Sequence, residues 1–397
     1  MTQPLYDRLF SAHAPDPRPI WETNRAKYDF AIAYPDPASV PWPELRDVMA
    51  DALAAEGTDL AYYHGMQGYA PLCQFIAAKL QRDRNMRVEG SDVFLTAGAG
   101  QGISLTLEML INPGDVVLTD DFAYAGGLGQ MFRYRADVRG VPTDGEGMAP
   151  DALEAAILQA QREGKPIKLI YVVPSFQNPQ GWCISLERRR AIVDLAQRYD
   201  ILILEDDSYA DLRYDGVSLP PLFTLDESQR VIYISTFSKT IAPSMRMGYM
   251  TGPRPLLERA MLSKSGGPVP LFVSLAVHRF CLEHLSSHIE QINDIQRARR
   301  NAMDQALHEN FGDEAAWVRP DGGLSMWIKF PAHVNVAPAR ATIFAQDNVG
   351  YSPGTSYAAD RRSGQNYMRL SYGYNTPDEI GEGIAALAAG FRREGVI

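Results

Sequence analysis

The sequence predicts an α/β protein in which a mainly parallel sheet is flanked by helices, with a smaller α+β unit after it. Three features carry this. Short apolar runs recur between residues 90 and 251, most of them ending in glycine or polar residues; segments of helical periodicity separate them; and after about residue 290 the texture changes to one long charged helix, two more apolar runs and an alanine-rich end. Strands that alternate with helices pair in parallel and are covered on both faces.

Taken in order, residues 1–55 open with a short amphipathic segment and pass through the proline-rich YPDPASVPWPEL. Proline has a fixed φ and no N–H, so this stretch reads as an arm or loop. From Tyr69, PLCQFIAAKLQRD has helical spacing, and DVFLTAG reads as a strand that enters a turn before the helix ISLTLEMLI. The alternation continues with DVVLTDD and GGLGQMFRYR, IKLIYVVP and SLERRRAIVDLAQRY, then DILILEDD, RVIYISTF, and MRMGYMTG before another helix. The long helix HIEQINDIQRARRNAMDQALHEN, the runs GGLSMWIKF and YMRLSYGY, and a final helix make the smaller unit. The expected organisation is therefore an arm and part of a small domain over 1–55, a large domain over 56–290, and a C-terminal small domain over 291–397.

Composition narrows the function. A formal charge of −10 opposes binding to nucleic acid through phosphate contacts, which requires a basic face. Cys73, Cys183 and Cys281 lie far apart without a CxxC pair, so neither a disulfide framework nor a structural metal site is expected. The first residues carry charges and prolines where a signal peptide has an apolar core, and no apolar run reaches the roughly 18 residues of a membrane span. A cytoplasmic protein that touches no membrane is expected.

Chemistry-bearing residues fall at the ends of the expected strands, where open α/β sheets bind ligands. YYHGMQGY, LTAGAGQG, DDFAY, PSFQNPQG, EDDSY, STFSKTIAPSMRMGY and NYMRLSYG follow one another along the chain. In that order they resemble the class I/II aminotransferases, which are fold-type I enzymes dependent on pyridoxal 5′-phosphate, and within them the 2-aminoadipate-aminotransferase-like branch. The resemblance runs from about Tyr28 to the C-terminus.

It implies a role for each motif. Lys239, directly after RVIYIS, would carry the cofactor as a Schiff base and act as acid and base. Asp206 in EDDSY would hold the pyridine nitrogen protonated and Tyr209 would meet the ring oxygen; Asp206 is preferred by its spacing from Tyr209, with Asp207 as the competing acid. Asn178 would bond the same ring oxygen and border the substrate. Tyr124 would stack on the ring. The phosphate would lie at the start of a helix, on Ala99, Gly100 and Gln101, with Thr236, Ser238 and Arg246 completing its cup. Ala99 stands where the family often has serine, which removes a hydroxyl but keeps the N–H. Tyr63 matches the tyrosine that reaches the neighbouring subunit's phosphate, so a homodimer with shared active sites is implied. Arg369 would fork onto the substrate α-carboxylate.

The implied reaction moves an amino group from an L-amino acid to a 2-oxo acid, although a lyase, decarboxylase or oxidase uses the same residues. Ala33 and Tyr34 stand where relatives commonly have glycines beside the substrate, which suggests a specialised pocket. Gly266, Gly267 and Pro268 suggest an unusual loop beside the site, and Arg18 or Arg25 is available for an acidic side chain. A ligand-sensing regulator domain is the remaining rival; no basic helix or helix-turn-helix pattern precedes the resemblance.

Overall fold

The computed structural model describes residues 9–10 and 25–397. Arg18 and most of the arm lie outside the described residues. The chain then runs through a short strand, Tyr28–Asp29 (β1), and a 3-10 turn, Pro37–Ser39, capped by the Asp36 carboxylate. The helix Trp42–Glu56 (α1) starts inside the proline-rich run. This corrects the loop expected there: Pro43 sits in the first turn, where an N–H has no intrahelical acceptor and proline's fixed φ already suits a helix. Helix Ala70–Arg84 (α2) follows and ends on Asn85 in the left-handed conformation.

The large sheet is assembled from Phe94–Thr96 (β2), helix Ala99–Leu110 (α3), Val116–Asp120 (β3), helix Ala125–Arg133 (α4) and Asp137–Val141 (β4). A small hairpin, Thr143–Asp144 (β5) and Gly147–Met148 (β6), leads to helix Pro150–Arg162 (α5), strand Ile167–Val172 (β7), helix Leu186–Arg198 (α6) and strand Leu202–Asp206 (β8). Then come the short helix Leu222–Leu225 (α7), Val231–Thr236 (β9), Gly248–Thr251 (β10), and helices Arg254–Ser263 (α8) and Leu271–Glu283 (α9). The strand order is β2-β10-β9-β8-β7-β3-β4, with β10 antiparallel to both neighbours and every other pairing parallel.

The pleat sorts side chains between two cores. Ile170, Val172, Ile203 and Val231 pack with Ile157 of α5 and Ile192 of α6, whereas Leu169, Leu204, Ile232 and Ile234 face Ile103 and Leu107 of α3. Both faces are apolar, which is why these strands read as unbroken hydrophobic runs.

The smaller unit starts with the unbroken helix Leu285–Asn310 (α10) and continues with Ser325–Lys329 (β11), helix Arg340–Asp347 (α11), Val349–Gly350 (β12), Ser352–Pro353 (β13), Tyr367–Ser371 (β14) and helix Pro377–Arg393 (α12). β11, β14 and β13 form an antiparallel sheet, α10 packs on α12, and β1 pairs in parallel with β12. The N-terminal strand is thus built into the C-terminal unit, and residues 290 and 291 lie within α10. Among the described residues no helix is long and apolar enough to cross a membrane.

Candidate active site

A cavity of about 320 Å³ opens at the carboxyl ends of β7, β8 and β9, facing the start of α3. Three consecutive acids end β8 and the pleat sends them apart. Glu205 accepts from the Leu222 and Phe223 N–H groups at 2.8 and 2.9 Å, Asp207 lies 3.3 Å from the Tyr233 hydroxyl, and Asp206 alone of the three lines the cavity. The Tyr171 hydroxyl donates to Asp206 Oδ2 at 3.1 Å and the Ser208 hydroxyl donates to Oδ1. Burial raises the Asp206 pKa and these donors oppose it. Neither Tyr171 nor Ser208 follows from the sequence motifs alone; the signal for Tyr171 is a polar tip in the buried, otherwise apolar second half of β7.

Lys239 follows β9 and its amine donates to the Ala33 carbonyl at 3.0 Å. Desolvation, reinforced by Arg369, lowers its pKa to about 8. The Thr236 hydroxyl lies 2.9 Å from both the Ser238 hydroxyl and the Met247 carbonyl, and accepts from the Ser238 N–H at 3.1 Å. Arg246 is held by the Ala97 carbonyl at 2.9 Å and the Pro243 carbonyl at 3.1 Å, with its guanidinium against Gly98. Gly98 has φ +77°, a conformation that favours glycine, and a Cβ there would crowd the guanidinium and force it to shift.

At the helix start, the Gln101 N–H closes onto the Gly98 carbonyl at 3.2 Å and the Gln101 side chain accepts from the Ala97 N–H at 2.8 Å. Gln101 therefore braces the turn and is not on the cavity wall, whereas Ala99 and Gly100 are. Among the described residues, the Ala99 and Gly100 N–H groups have no acceptor.

Asn178 and Arg369 meet across the cavity. The Asn178 amide N–H lies 3.4 Å from the Tyr209 hydroxyl, and its Oδ1 accepts from Arg369 at 3.2 Å. Arg369 also donates to the Ala31 carbonyl, and its Nε is buried with no partner among the described residues. Tyr124 lies on the wall with its ring over Gly126, which has no side chain to displace it. Ala33 and Tyr34 line the cavity, and the exposed Arg25 guanidinium sits 4.8 Å from the Tyr34 ring centroid and 5.6 Å from that of Tyr374. Two expected neighbours are elsewhere. Tyr63 is 99% exposed and off this wall, and residues 266–268 do not line the cavity.

The model of the family described as aminotransferase class I and II matches residues 32–387. The chain belongs to that family. It is 30% identical over 369 residues to aromatic-amino-acid aminotransferase 1 of Thermococcus litoralis, covering 91% of this chain and 87% of that one. The kynurenine aminotransferase structure of Pyrococcus horikoshii superposes with a TM-score of 0.92 at 29% identity, covering 98% of each chain. The α-aminoadipate aminotransferase of Thermus thermophilus, solved with N-(5′-phosphopyridoxyl)-L-leucine, gives 0.85 at 27% identity over 92% of each. The protein is a fold-type I, pyridoxal 5′-phosphate-dependent aminotransferase, and the sheet with its flanking helices is that fold.

The residues present fit this cofactor. An aminotransferase of this kind needs an amine, a carboxylate for the ring nitrogen and a polar cup for a dianion. Here Lys239, Asp206, and the open N–H groups beside Arg246 stand around one cavity, which Arg369 also lines.

Proposed function

We propose that this aminotransferase takes the α-carboxylate of an L-amino acid on Arg369 and moves its α-hydrogen with Lys239. The observation that carries the reading is the convergence of the Lys239 amine, the Asp206 carboxylate and the Arg369 fork on one cavity. Bound pyridoxal 5′-phosphate supplies an aldehyde that takes up the amine and a ring that accepts the electron pair left when the α-hydrogen departs.

Asp206 presents its carboxylate to the ring nitrogen, and the Tyr171 and Ser208 hydroxyls keep that carboxylate oriented. Asn178 and Tyr209 place an amide and a phenol at the ring oxygen, and Tyr124 covers a ring face. Ala99 and Gly100 offer backbone N–H groups to the phosphate, while Thr236, Ser238 and Arg246 add two hydroxyls and a cation. Lys239 carries the cofactor; before it does so, burial lowers its amine's pKa to about 8, which makes the neutral amine available to take the cofactor up, and the amine once released accepts and returns the proton. The Arg369 guanidinium, fixed by Asn178 and the Ala31 carbonyl, fits a carboxylate in two parallel bonds. Ala33 and Tyr34 border the side-chain end, so Tyr34 restricts which substrates enter. Tyr63, fully exposed and off the wall of its own cavity, serves a second subunit's phosphate in a homodimer. The three cysteines are free, in keeping with a cytoplasmic setting.

The test is an absorbance spectrum of the cofactor-loaded protein after single additions of each amino acid under nitrogen, and then under air. Loss of the bound cofactor's visible band with one amino acid, and its return with a 2-oxo acid, is expected and names the donor. Turnover without any oxo acid, or only in air, would replace transamination with elimination, decarboxylation or oxidation.

A further inference from the structure

Gln177 immediately precedes Asn178 yet is absent from the cavity wall, and its side chain is completely buried. Its Nε2 donates to Asp120 Oδ2 at 2.9 Å and to the Phe122 carbonyl at 2.7 Å, while its Oε1 accepts from the Gln180 N–H at 2.9 Å. Gln180 adds a second donor to the same Phe122 carbonyl at 3.2 Å. One planar carboxamide thus grips two acceptors of a neighbouring segment and one donor of its own loop, an arrangement that needs two N–H groups and an oxygen on one side chain.

The gripped segment matters because Asp120 ends β3 and Phe122 lies two residues before Tyr124. On its other side, the Ala123 N–H donates to the Tyr357 carbonyl and the Ala359 N–H to the Asp121 carbonyl, each at 2.9 Å. Gln177's own loop carries Asn178, whose Oδ1 holds Arg369. Burial raises the Asp120 carboxyl pKa to about 8, so near neutral pH Nε2 meets an acid largely in its uncharged form.

Building on the site reading above, we propose that Gln177 is a positioning residue for transamination. By locking the Asp120–Phe122 segment to the Asn178 loop, it sets the position of Tyr124 relative to Asn178 and Arg369. It touches neither cofactor nor substrate and acts through those three residues.

The test compares wild type, Gln177→Leu and Asp120→Asn as cofactor-loaded proteins, reading the visible circular dichroism of the bound cofactor, the Kd for cofactor, and kcat and KM separately. A small displacement of a reacting group costs on the order of a hundredfold in rate, so Gln177→Leu is expected to lower kcat by roughly 10- to 100-fold and to change the cofactor's dichroic band. Asp120→Asn, which keeps an acceptor for Nε2, is expected to cost roughly tenfold less than Gln177→Leu. A Gln177→Leu protein with a lowered Tm but the wild-type dichroic band and a kcat within about twofold would overturn the positioning role and leave the site reading intact. If Gln177→Leu does not fold, Asp120→Leu decides, since it removes the acceptor and keeps the Gln177 bonds to Phe122 and Gln180; an unchanged band and kcat there would overturn the proposal. Wild type that neither takes up the cofactor nor transaminates would overturn both readings.

Discussion

Asn178, Asp206 and Lys239 lie at or beyond the carboxyl ends of three adjacent parallel strands, β7, β8 and β9, whose spacing of about 4.8 Å is a property of any sheet. Across the cavity, Ala33, Tyr34 and Arg369 come from distant parts of the chain. They meet because the Ser371 N–H bonds the Phe30 carbonyl at 2.9 Å and β1 pairs with β12. The cofactor half is therefore carried by regular secondary structure, whereas the substrate half depends on a crossing between the first described strand and the last. On the proposed reading, the first half fixes the chemistry and the second is where the substrate is chosen.

Substitutions probe that division. Lys239→Ala is expected to be the most severe, with transamination falling about 10⁴-fold, because one amine carries both cofactor attachment and proton movement; a steady-state assay with the identified donor checks it. Asp206→Ala removes the charge that balances the ring nitrogen and is expected to cost about 10²- to 10³-fold in kcat, on the scale of other preorganised electrostatic groups. Asp207→Asn, one residue away, points to Tyr233 and is expected to leave kcat within about threefold. Equal losses at the two positions would break the assignment drawn from the pleat.

On the substrate half, Arg369→Leu removes charged hydrogen bonds, one of which is worth about 1.5–3 kcal/mol, and is expected to lower kcat/KM by at least roughly 10- to 150-fold, while the cofactor's absorption stays intact. An absorption change as large as that of Asp206→Ala would show that the halves are not separable. Cofactor capture by the apoprotein sharpens the comparison through pH. Neutral amine is the reactive form, and Lys239 has its pKa lowered to about 8 by desolvation. The capture rate is expected to rise about tenfold per unit as pH approaches 8 from below, then to level off; a rise continuing toward 10.5 would contradict the burial effect. The same shift makes a stability prediction. Between about pH 8 and 10.5 the unfolded chain holds a proton that the folded chain has lost, so this lysine's contribution to apoprotein stability rises with pH across that window. Tyr34→Gly is expected to change turnover of the best substrate by no more than about threefold and to show itself instead as a broader substrate profile. An unchanged profile would remove Tyr34 from the specificity assignment.

Much of the cofactor half was legible because an apolar run followed by a polar residue locates a strand end, and strand ends in a parallel sheet are where ligands lie. The proline run around Trp42 was misread because proline's effect depends on its position: Pro43 breaks nothing in a first turn. The sequence puts Gln101 on the phosphate because helix starts offer N–H groups; in the structure its own N–H bonds the Gly98 carbonyl and its side chain accepts from the Ala97 N–H. Tyr171 and Gln177 escaped notice since each serves another side chain, and their partners are 35 and 57 residues away in the chain.

By itself the sequence determined the alternation of strands and helices, the position of Lys239 behind an apolar strand, and the order of the family's motifs. These rest on local periodicity and on residue types that the chemistry demands. The tertiary structure decided which of three consecutive acids faces the cavity, how Arg246 comes to lie against Gly98, and how Arg369 comes to bond Asn178. Each of those outcomes depends on the phase of a pleat or on contact between segments far apart in the chain, and local periodicity specifies neither which face of a strand becomes the wall of a site nor which distant segment will close it.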